Sequence, residues 1–232
     1  MPRLPRIDIP GIPQHVVVRG HNRSPCFFGD AYHQTFLRLL SQAAAPARAD
    51  IHAYVLMSNH VHLLVTGHVE GSISRLMHSV AHRYARLVNR AMGRTGTLFE
   101  GRFRSSLVQS EAYFLRCMRD IECNPVRAGM TRSPREYPWS SHLDNMTGEP
   151  SGLLTAHAEY LRLGIDKAAR AHGYERLFDQ QMSNEDLHAI RENMDSQRVL
   201  GDAAFLQAVG ARLGRNVGIV RQGRPKTNLA PF

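Results

Sequence analysis

The stretch AYVLMSNHVHLLVTG places the strongest constraint on the fold of this 232-residue chain. Two apolar runs, Asp50–Met57 and His60–Thr66, flank the dipeptide Ser58–Asn59, and this pattern predicts a β-hairpin with a tight turn. Because successive strand residues point to opposite faces of a sheet, His60 and His62 share one face. Two imidazoles held on one rigid face provide half of a metal site.

The rest of the N-terminal half predicts further strands and helices around this hairpin. The expected elements are a strand over Gln14–Gly20, a helix from Asp30 to Leu40, a longer amphipathic helix from Ser72 to about Met92, a basic strand within GRTGTLFEGRFRSSLV, and a helix from Ser110. That last helix must end near Asn124, since Pro125 disfavours helical geometry in the residue before it. The order β-α-β-β-α-β-α predicts an α+β fold, with a mainly antiparallel sheet and helices on one face.

The charge of the chain favours a polyanionic partner. Its formal net charge is +9 and its pI is near 10.1, and arginine side chains suit bidentate contacts with phosphate. A solvated basic face is the alternative explanation. No apolar stretch approaches the roughly 18 residues that a membrane-spanning helix needs, and prolines interrupt the start of the chain, so we expect a cytoplasmic protein. Three cysteines without zinc spacing are expected to be reduced packing residues.

The pattern changes after REYPWSSH. NMTGEPSG is rich in turn formers, and from Leu153 onward the pattern is helical, with breaks at glycines. We therefore expect two domains: residues 1–145 carry the main chemistry, and residues 146–232 form a helical extension with a basic tail. That tail, GRNVGIVRQGRPKTNLAPF, is typical either of an arm that enters a DNA minor groove or of a solvated end.

The helix that begins at Ser110 brings further candidate residues into one stripe. Tyr113, Cys117, Asp120 and Asn124 follow each other at spacings of three or four residues, so they share one helix face. If that face meets the sheet, Asn124 can add an oxygen to the nitrogens of His60 and His62. Such a set suits Mg²⁺ or Mn²⁺ beside a substrate phosphate better than a structural zinc. Asn124 is also a common residue at a helix end before proline, and the histidines alone are compatible with an exposed strand face.

Arginines cluster around the same segments and are candidate contacts for DNA phosphates. Arg102 and Arg104 alternate on the predicted basic strand and so share one face, and Phe99 and Phe103, which interleave with them, are candidates for base stacking or for core packing. Binding should weaken with salt, because each neutralised phosphate releases counterions. The candidate DNA-binding residues are Arg19, Arg23, Arg94, Arg102, Arg104 and Arg127.

Four segments in order carry a resemblance to a known family: YVLMSNHVHLLV, GRTGTLFEGRFRSSLV, IECNPVRAGM and YPWSSH. Together they resemble the single-tyrosine HUH transposases of bacterial insertion sequences, and specifically the REP-associated tyrosine transposases, over about Arg3 to His142. The resemblance implies a ferredoxin-like or RRM-like sheet and a divalent metal on the two histidines plus a helix residue. It also implies a helix tyrosine that forms a covalent bond to single-stranded DNA, commonly beside a hairpin, during metal-dependent cleavage and joining in DNA transposition.

The chain departs from the family pattern at one position. These proteins typically read RYIExNPVRAG, whereas this chain reads RDIECNPVRAG, so Asp120 stands where the nucleophilic tyrosine is expected. A carboxylate cannot replace a phenolate here, because the acyl phosphate it would form is labile.

Three accounts of this departure remain open. The chain is an inactive relative that still binds REP-type hairpin DNA; or Asp120 acts as an extra metal ligand or base for hydrolysis by water; or Tyr113, two turns earlier and roughly 10 Å away along the helix, replaces the nucleophile. A structural or protein-interaction role is a further alternative, and the helical extension is the only feature that favours it. The resemblance leaves both a monomer and a homodimer open.

Overall fold

The computed structural model describes residues 6–148 and 152–218 of the chain. The strands are β1 (Pro13–Arg19), β2 (Ala49–Met57), β3 (His60–Gly67), β4 (Arg104–Val108) and β5 (Val199–Leu200). The helices are α1 (Asp30–Ala47), α2 (Ser72–Ala91), α3 (Ser110–Glu122), α4 (Asn124–Arg127), α5 (His142–Thr147), α6 (Ala158–Leu161), α7 (Lys167–Arg176), α8 (Asn184–Ser196) and α9 (Ala203–Leu213). None of the helices in these two ranges combines the length and the apolar character needed to cross a membrane.

The described strands form one sheet in the order β2-β3-β1-β4-β5. β1, β2, β3 and β4 pair antiparallel with their neighbours, and β5 joins the edge parallel to β4. The predicted hairpin and the order β-α-β-β-α-β-α are confirmed, as is the mainly antiparallel α+β fold. β4 is shorter than the sequence suggested, because the glycine-broken segment before Arg104 is irregular.

The placement of the helices corrects one detail of the prediction. α1 and α2 pack on one face of the sheet, around Val61 and Leu63, which matches the expected ferredoxin-like layer. The opposite face is also covered, because α3 packs there against Val55 and Leu64. The physical reason is present in the sequence: AYVLM is apolar on both faces of β2, so the strand needs a helix on each side.

The C-terminal extension continues both layers. Tyr160 of α6, Tyr174 of α7 and Ile190 of α8 join the apolar core beside α3. On the other side of the sheet, Val209 of α9 packs in a separate cluster with Leu107 of β4. A boundary between residues 145 and 146 stays a prediction, and the rest of the predicted basic tail, residues 219–232, lies outside the described residues.

A buried carboxylate joins the extension to α3. Glu122 is fully buried and accepts hydrogen bonds from Ser141 Oγ at 2.6 Å, Asn145 Nδ2 at 2.9 Å and Tyr174 OH at 2.6 Å. His142 Nδ1 lies 2.9 Å from the same carboxylate. A buried charge is tolerated only with such a set of partners, so Glu122 fixes the end of α3 against α5 and α7.

We expect Tyr174→Phe to lower the free energy of unfolding by about 1 to 3 kcal/mol, because the buried Glu122 carboxylate loses a donor. Urea unfolding followed by circular dichroism measures the change. Tyr113→Phe is the matched control: the Tyr113 side chain is half-buried and its hydroxyl makes no hydrogen bond to another described residue, so it should shift stability by less than about 0.5 kcal/mol. Equal effects of the two variants would contradict this role of Glu122.

His52 marks a β-bulge in β2 and is kept uncharged by burial. The register between β2 and β3 shifts between Ile51 and Ala53, and the side chain of His52 bonds the Thr155 carbonyl through Nδ1 at 2.7 Å and Thr66 Oγ1 through Nε2 at 2.8 Å. Burial lowers the pKa of His52 from 6.5 to about 4. Between pH 6.5 and about 4, His52 is protonated in the unfolded chain but not in the folded chain. The free energy of unfolding therefore falls as the pH drops through this range.

We expect His52→Gln to reduce this pH dependence by up to one proton, or about 1.4 kcal/mol per pH unit, although the variant is less stable at every pH. Urea unfolding at a series of pH values gives the slope for both proteins. Between about pH 7 and 8 the two slopes should coincide, because His52 is neutral in both folded and unfolded chains there. A full wild-type slope in the variant below pH 6 would contradict the prediction.

Candidate functional site

The two histidines of the hairpin face the same side of the sheet, as the alternation of β3 predicts. His60 pairs with Arg19 across β1 and His62 pairs with Val17. Val17 in turn pairs with Arg104 of β4, and directly opposed residues in antiparallel strands share a face. The sheet therefore places His60, His62, Arg19 and Arg104 on the face that carries α3.

Both histidines are uncharged, and each has one ring nitrogen engaged. His60 Nδ1 lies 2.6 Å from Asn59 Oδ1, and His62 Nδ1 lies 2.8 Å from Nε2 of His15. Burial, with a contribution from Arg19, lowers the pKa of His60 to about 4, and burial lowers the pKa of His62 well below its usual value. The Nε2 atom of each ring makes no hydrogen bond to another described residue. Each uncharged ring can therefore offer this nitrogen to a metal ion.

The end of α3 brings a carboxylate and an amide to the same place. Asp120 is 4% exposed, and its Oδ1 lies 2.9 Å from a guanidinium nitrogen of Arg127, which also donates to the Asp120 main-chain carbonyl. Burial raises the pKa of Asp120, and the charges of Arg127 and Arg191 oppose that rise. Asn124 Nδ2 donates to the Asp120 carbonyl at 3.0 Å, so its Oδ1 is left without a hydrogen-bond partner among the described residues.

These groups line one cleft of about 590 Å³ on the α3 side of the sheet. A second depression of about 490 Å³ adjoins it and shares Arg19, His60 and Arg104. Of the predicted site residues, the cleft is lined by His60, His62, Asp120, Asn124, Arg19, Arg102, Arg104 and Arg127.

Three predicted residues lie elsewhere. Arg23 lines the adjoining depression. The guanidinium of Arg94 lies 5.9 Å from the ring centroid of Phe28, beside the α1 and α2 layer. Tyr113 packs at the start of α3 against the core of the extension, with the Arg116 guanidinium 5.2 Å from its ring centroid, and does not line the cleft. All seven tyrosines of the chain lie in the described residues, and none of them lines the cleft.

The residues present fit a divalent ion through a mixed set of donors. Among the described residues there is no group of three or more His, Cys, Asp or Glu side chains suited to hold a metal. The predicted set instead combines two imidazole nitrogens with the amide oxygen of Asn124, and all three donor atoms are free of other hydrogen bonds within the described ranges. Neutral imidazoles and an amide oxygen are ligands for Mg²⁺ or Mn²⁺ that retain open positions for water or phosphate.

Sequence reasoning missed several residues of the cleft. His15 lies 2 residues before Val17 on the same face of β1, so the alternation of QHVVVRG could have revealed it. It is buried, and burial together with Arg127 lowers its pKa to about 3, so it acts as a neutral partner that orients the His62 ring. Arg191, Asp195 and Arg198 come from the C-terminal extension, and no local pattern marks them.

Comparison with known proteins supports the resemblance found in the sequence. Residues 9–117 match the sequence profile described as "Transposase IS200 like". A solved structure of a REP-associated tyrosine transposase bound to a REP hairpin is similar in fold, with a TM-score of 0.54 and 18% sequence identity over 68% of this chain and 93% of that one. A transposase-like protein from Deinococcus radiodurans R1 gives a TM-score of 0.37 at 18% identity, over 52% of this chain and 95% of that one. Curated proteins gave no match.

The profile covers the part of the chain that builds β1 to β4 and most of α3, including both histidines and the sheet face on which they lie. Residues 9–117 are therefore similar to the IS200-like transposases.

Proposed function

We propose that this chain is a transposase-like protein that binds single-stranded or hairpin DNA in the cleft over its sheet, with Mg²⁺ or Mn²⁺ held by His60, His62 and Asn124. The cationic lining, which includes Arg19, Arg102 and Arg104, suits a phosphate backbone. The similarity in fold to a transposase bound to a REP hairpin points to the same class of ligand. When bound, the divalent ion would polarise a backbone phosphate beside the two imidazoles.

The observation that carries the proposal is the absence of any tyrosine from the residues that line the cleft, within the described ranges. Cleavage and joining through a phosphotyrosyl bond needs a phenolate within reach of the phosphate. Asp120 takes the expected position, and the Arg127 guanidinium neutralises its carboxylate. We therefore favour a protein that binds the DNA of its family without forming a covalent link to it.

A second candidate function is hydrolytic cleavage of the strand. Asp120 Oδ1 is buried and has no hydrogen-bond partner among the described residues, although it contacts Arg127 as an ion pair. The raised pKa of Asp120 suits a general base that accepts a proton from an attacking water. The nearby Arg127 guanidinium opposes this role, because it stabilises the deprotonated carboxylate of Asp120.

The expected cytoplasmic location and the homodimer alternative stay predictions.

The metal site predicts a specific loss of metal response. Mn²⁺ in large excess should raise the melting temperature of the wild type by several degrees, since about 2.7 kcal/mol of stabilisation is expected at 100 times the Kd. His60→Ala/His62→Ala should lose this rise but keep salt-sensitive DNA binding, which rests on the arginines. Differential scanning fluorimetry with and without Mn²⁺ measures the first effect, and fluorescence anisotropy with labelled hairpin DNA measures the second.

The control is His78→Ala/His172→Ala, which removes two exposed histidines from α2 and α7. It should retain the full response to Mn²⁺. The same rise in the His60/His62 variant as in the wild type would show that the ion does not bind at these residues.

Replacing Asp120 tests whether the cleft lacks only its nucleophile. We expect Asp120→Tyr to form a covalent adduct with an end-labelled single-stranded hairpin DNA in the presence of Mn²⁺, because the new hydroxyl lies where the family pattern has its tyrosine. A denaturing gel separates adduct from free DNA. Asp120→Phe supplies the same ring without a hydroxyl and should form none, and melting curves confirm that both variants fold.

The wild type decides between the two functions in the same gel. If it binds the hairpin and leaves it intact, the binding function holds. If it cuts the hairpin without forming an adduct, water hydrolyses the strand with Asp120 as the general base, and the second candidate function is correct. Absence of an adduct with folded Asp120→Tyr would contradict the view that only the nucleophile is missing.

A further inference from the structure

The cleft has a wall that lies outside the part of the chain matched by the transposase family. Residues 9–117 supply its floor and part of one side. The segment from α8 to β5 supplies another side, through Ile190, Arg191, Met194, Asp195, Gln197 and Arg198. A region that only covered the sheet edge would not contribute a run of polar and charged side chains to this cleft.

The wall is attached to the sheet by several independent contacts. β5 pairs with β4 in parallel register, Leu107 with Val199, and Ser106 Oγ donates to the Arg198 carbonyl at 2.8 Å. Gln109 and Asp202 exchange two hydrogen bonds of 2.8 Å each. The end of this wall at β5 is therefore held at a fixed position beside the cleft, as a rigid binding surface requires.

One arginine of this wall is available for an anion. Arg191 is exposed at the cleft and forms no hydrogen bond or ion pair with any other described residue. It lines the same cleft as Asp120 and Asn124. An unpaired guanidinium beside the predicted metal ligands is placed to receive a phosphate oxygen.

A negative charge on the same helix disfavours the binding of an anion in the cleft. Asp195 lines the cleft and its Oδ1 lies 3.4 Å from Nη1 of Arg104, one of the cationic side chains on the sheet. Both side chains are substantially exposed, so the pair itself contributes little to stability. Its effect is on the ligand: it occupies Arg104 and places a negative charge where a phosphate would bind.

We infer that the C-terminal extension forms a second wall of the nucleic-acid cleft, in which Arg191 binds a backbone phosphate and Asp195 limits the affinity. This inference deepens the proposed function and rests on it. It adds a charge-bearing helix to the binding surface of residues 9–117, so the charges on α8 adjust the affinity that the arginines of the sheet provide.

The test compares three single substitutions in the full chain. The probe is a fluorescently labelled hairpin with single-stranded flanks of mixed sequence, and its Kd is measured by anisotropy from about 50 to 300 mM KCl, a range over which phosphate contacts weaken strongly. Arg191→Gln should weaken binding roughly tenfold at low salt and lower the salt slope by about one contact. Asp195→Asn should strengthen binding severalfold. Arg212→Gln on α9 removes an exposed charge from the same extension but outside the cleft, and should change little.

The outcomes separate the inference from the proposed function. If the wild type shows no salt-sensitive binding, the proposed function fails and the inference with it. If the wild type binds while Arg191→Gln and Asp195→Asn match Arg212→Gln, the DNA cleft stands and the second wall is refuted. Opposite shifts for Arg191→Gln and Asp195→Asn establish it. All three sites are exposed, so melting curves equal to that of the wild type should accompany every variant.

Discussion

The register of β3 between β1 and β2 is the constraint on which the whole site depends. Strand side chains alternate between faces, so a slip of one residue would turn His60 and His62 into the α1 and α2 core and expose Val61. The hairpin turn at Ser58–Asn59 fixes the register on one side, and antiparallel pairing with β1 fixes it on the other. Apolar packing on the α1 side thus determines the geometry of the polar face on the α3 side.

The position of α3 is the second requirement, and it depends on a buried charge rather than on apolar packing alone. Phe114, Cys117 and Ile121 pack the helix on the sheet. Glu122 adds a polar constraint at the helix end, because its carboxylate is satisfied only when α5 and α7 present their donors at the same time. Since Asp120 and Asn124 lie two residues to either side, the network that stabilises the extension also sets the position of the candidate ligands.

The sequence was informative where local periodicity carried the structure. The period of two in β3 predicted that His60 and His62 share a face, and proline at 125 predicted where α3 ends. The sequence did not predict the features that depend on contacts between distant parts of the chain. β5 has two residues and no periodicity to detect, and the donors to Glu122 lie 19 to 52 residues away along the chain. The helices on both faces were foreseeable in principle from the unbroken apolar run of β2, whereas the approach of α8 to the cleft was not.

The aspartate at position 120 changes the electrostatics of the cleft as much as its chemistry. A tyrosine would add a neutral side chain to the cleft, whereas a carboxylate adds a buried negative charge that desolvation penalises. Arg127 compensates for that charge through both the carboxylate and the main-chain carbonyl of the same residue, and Arg191 adds a second positive charge from the extension. The cleft can therefore keep a cationic lining despite the substitution. On this view α8 does more than enlarge the proposed binding surface, because its arginine helps to balance the charge of Asp120.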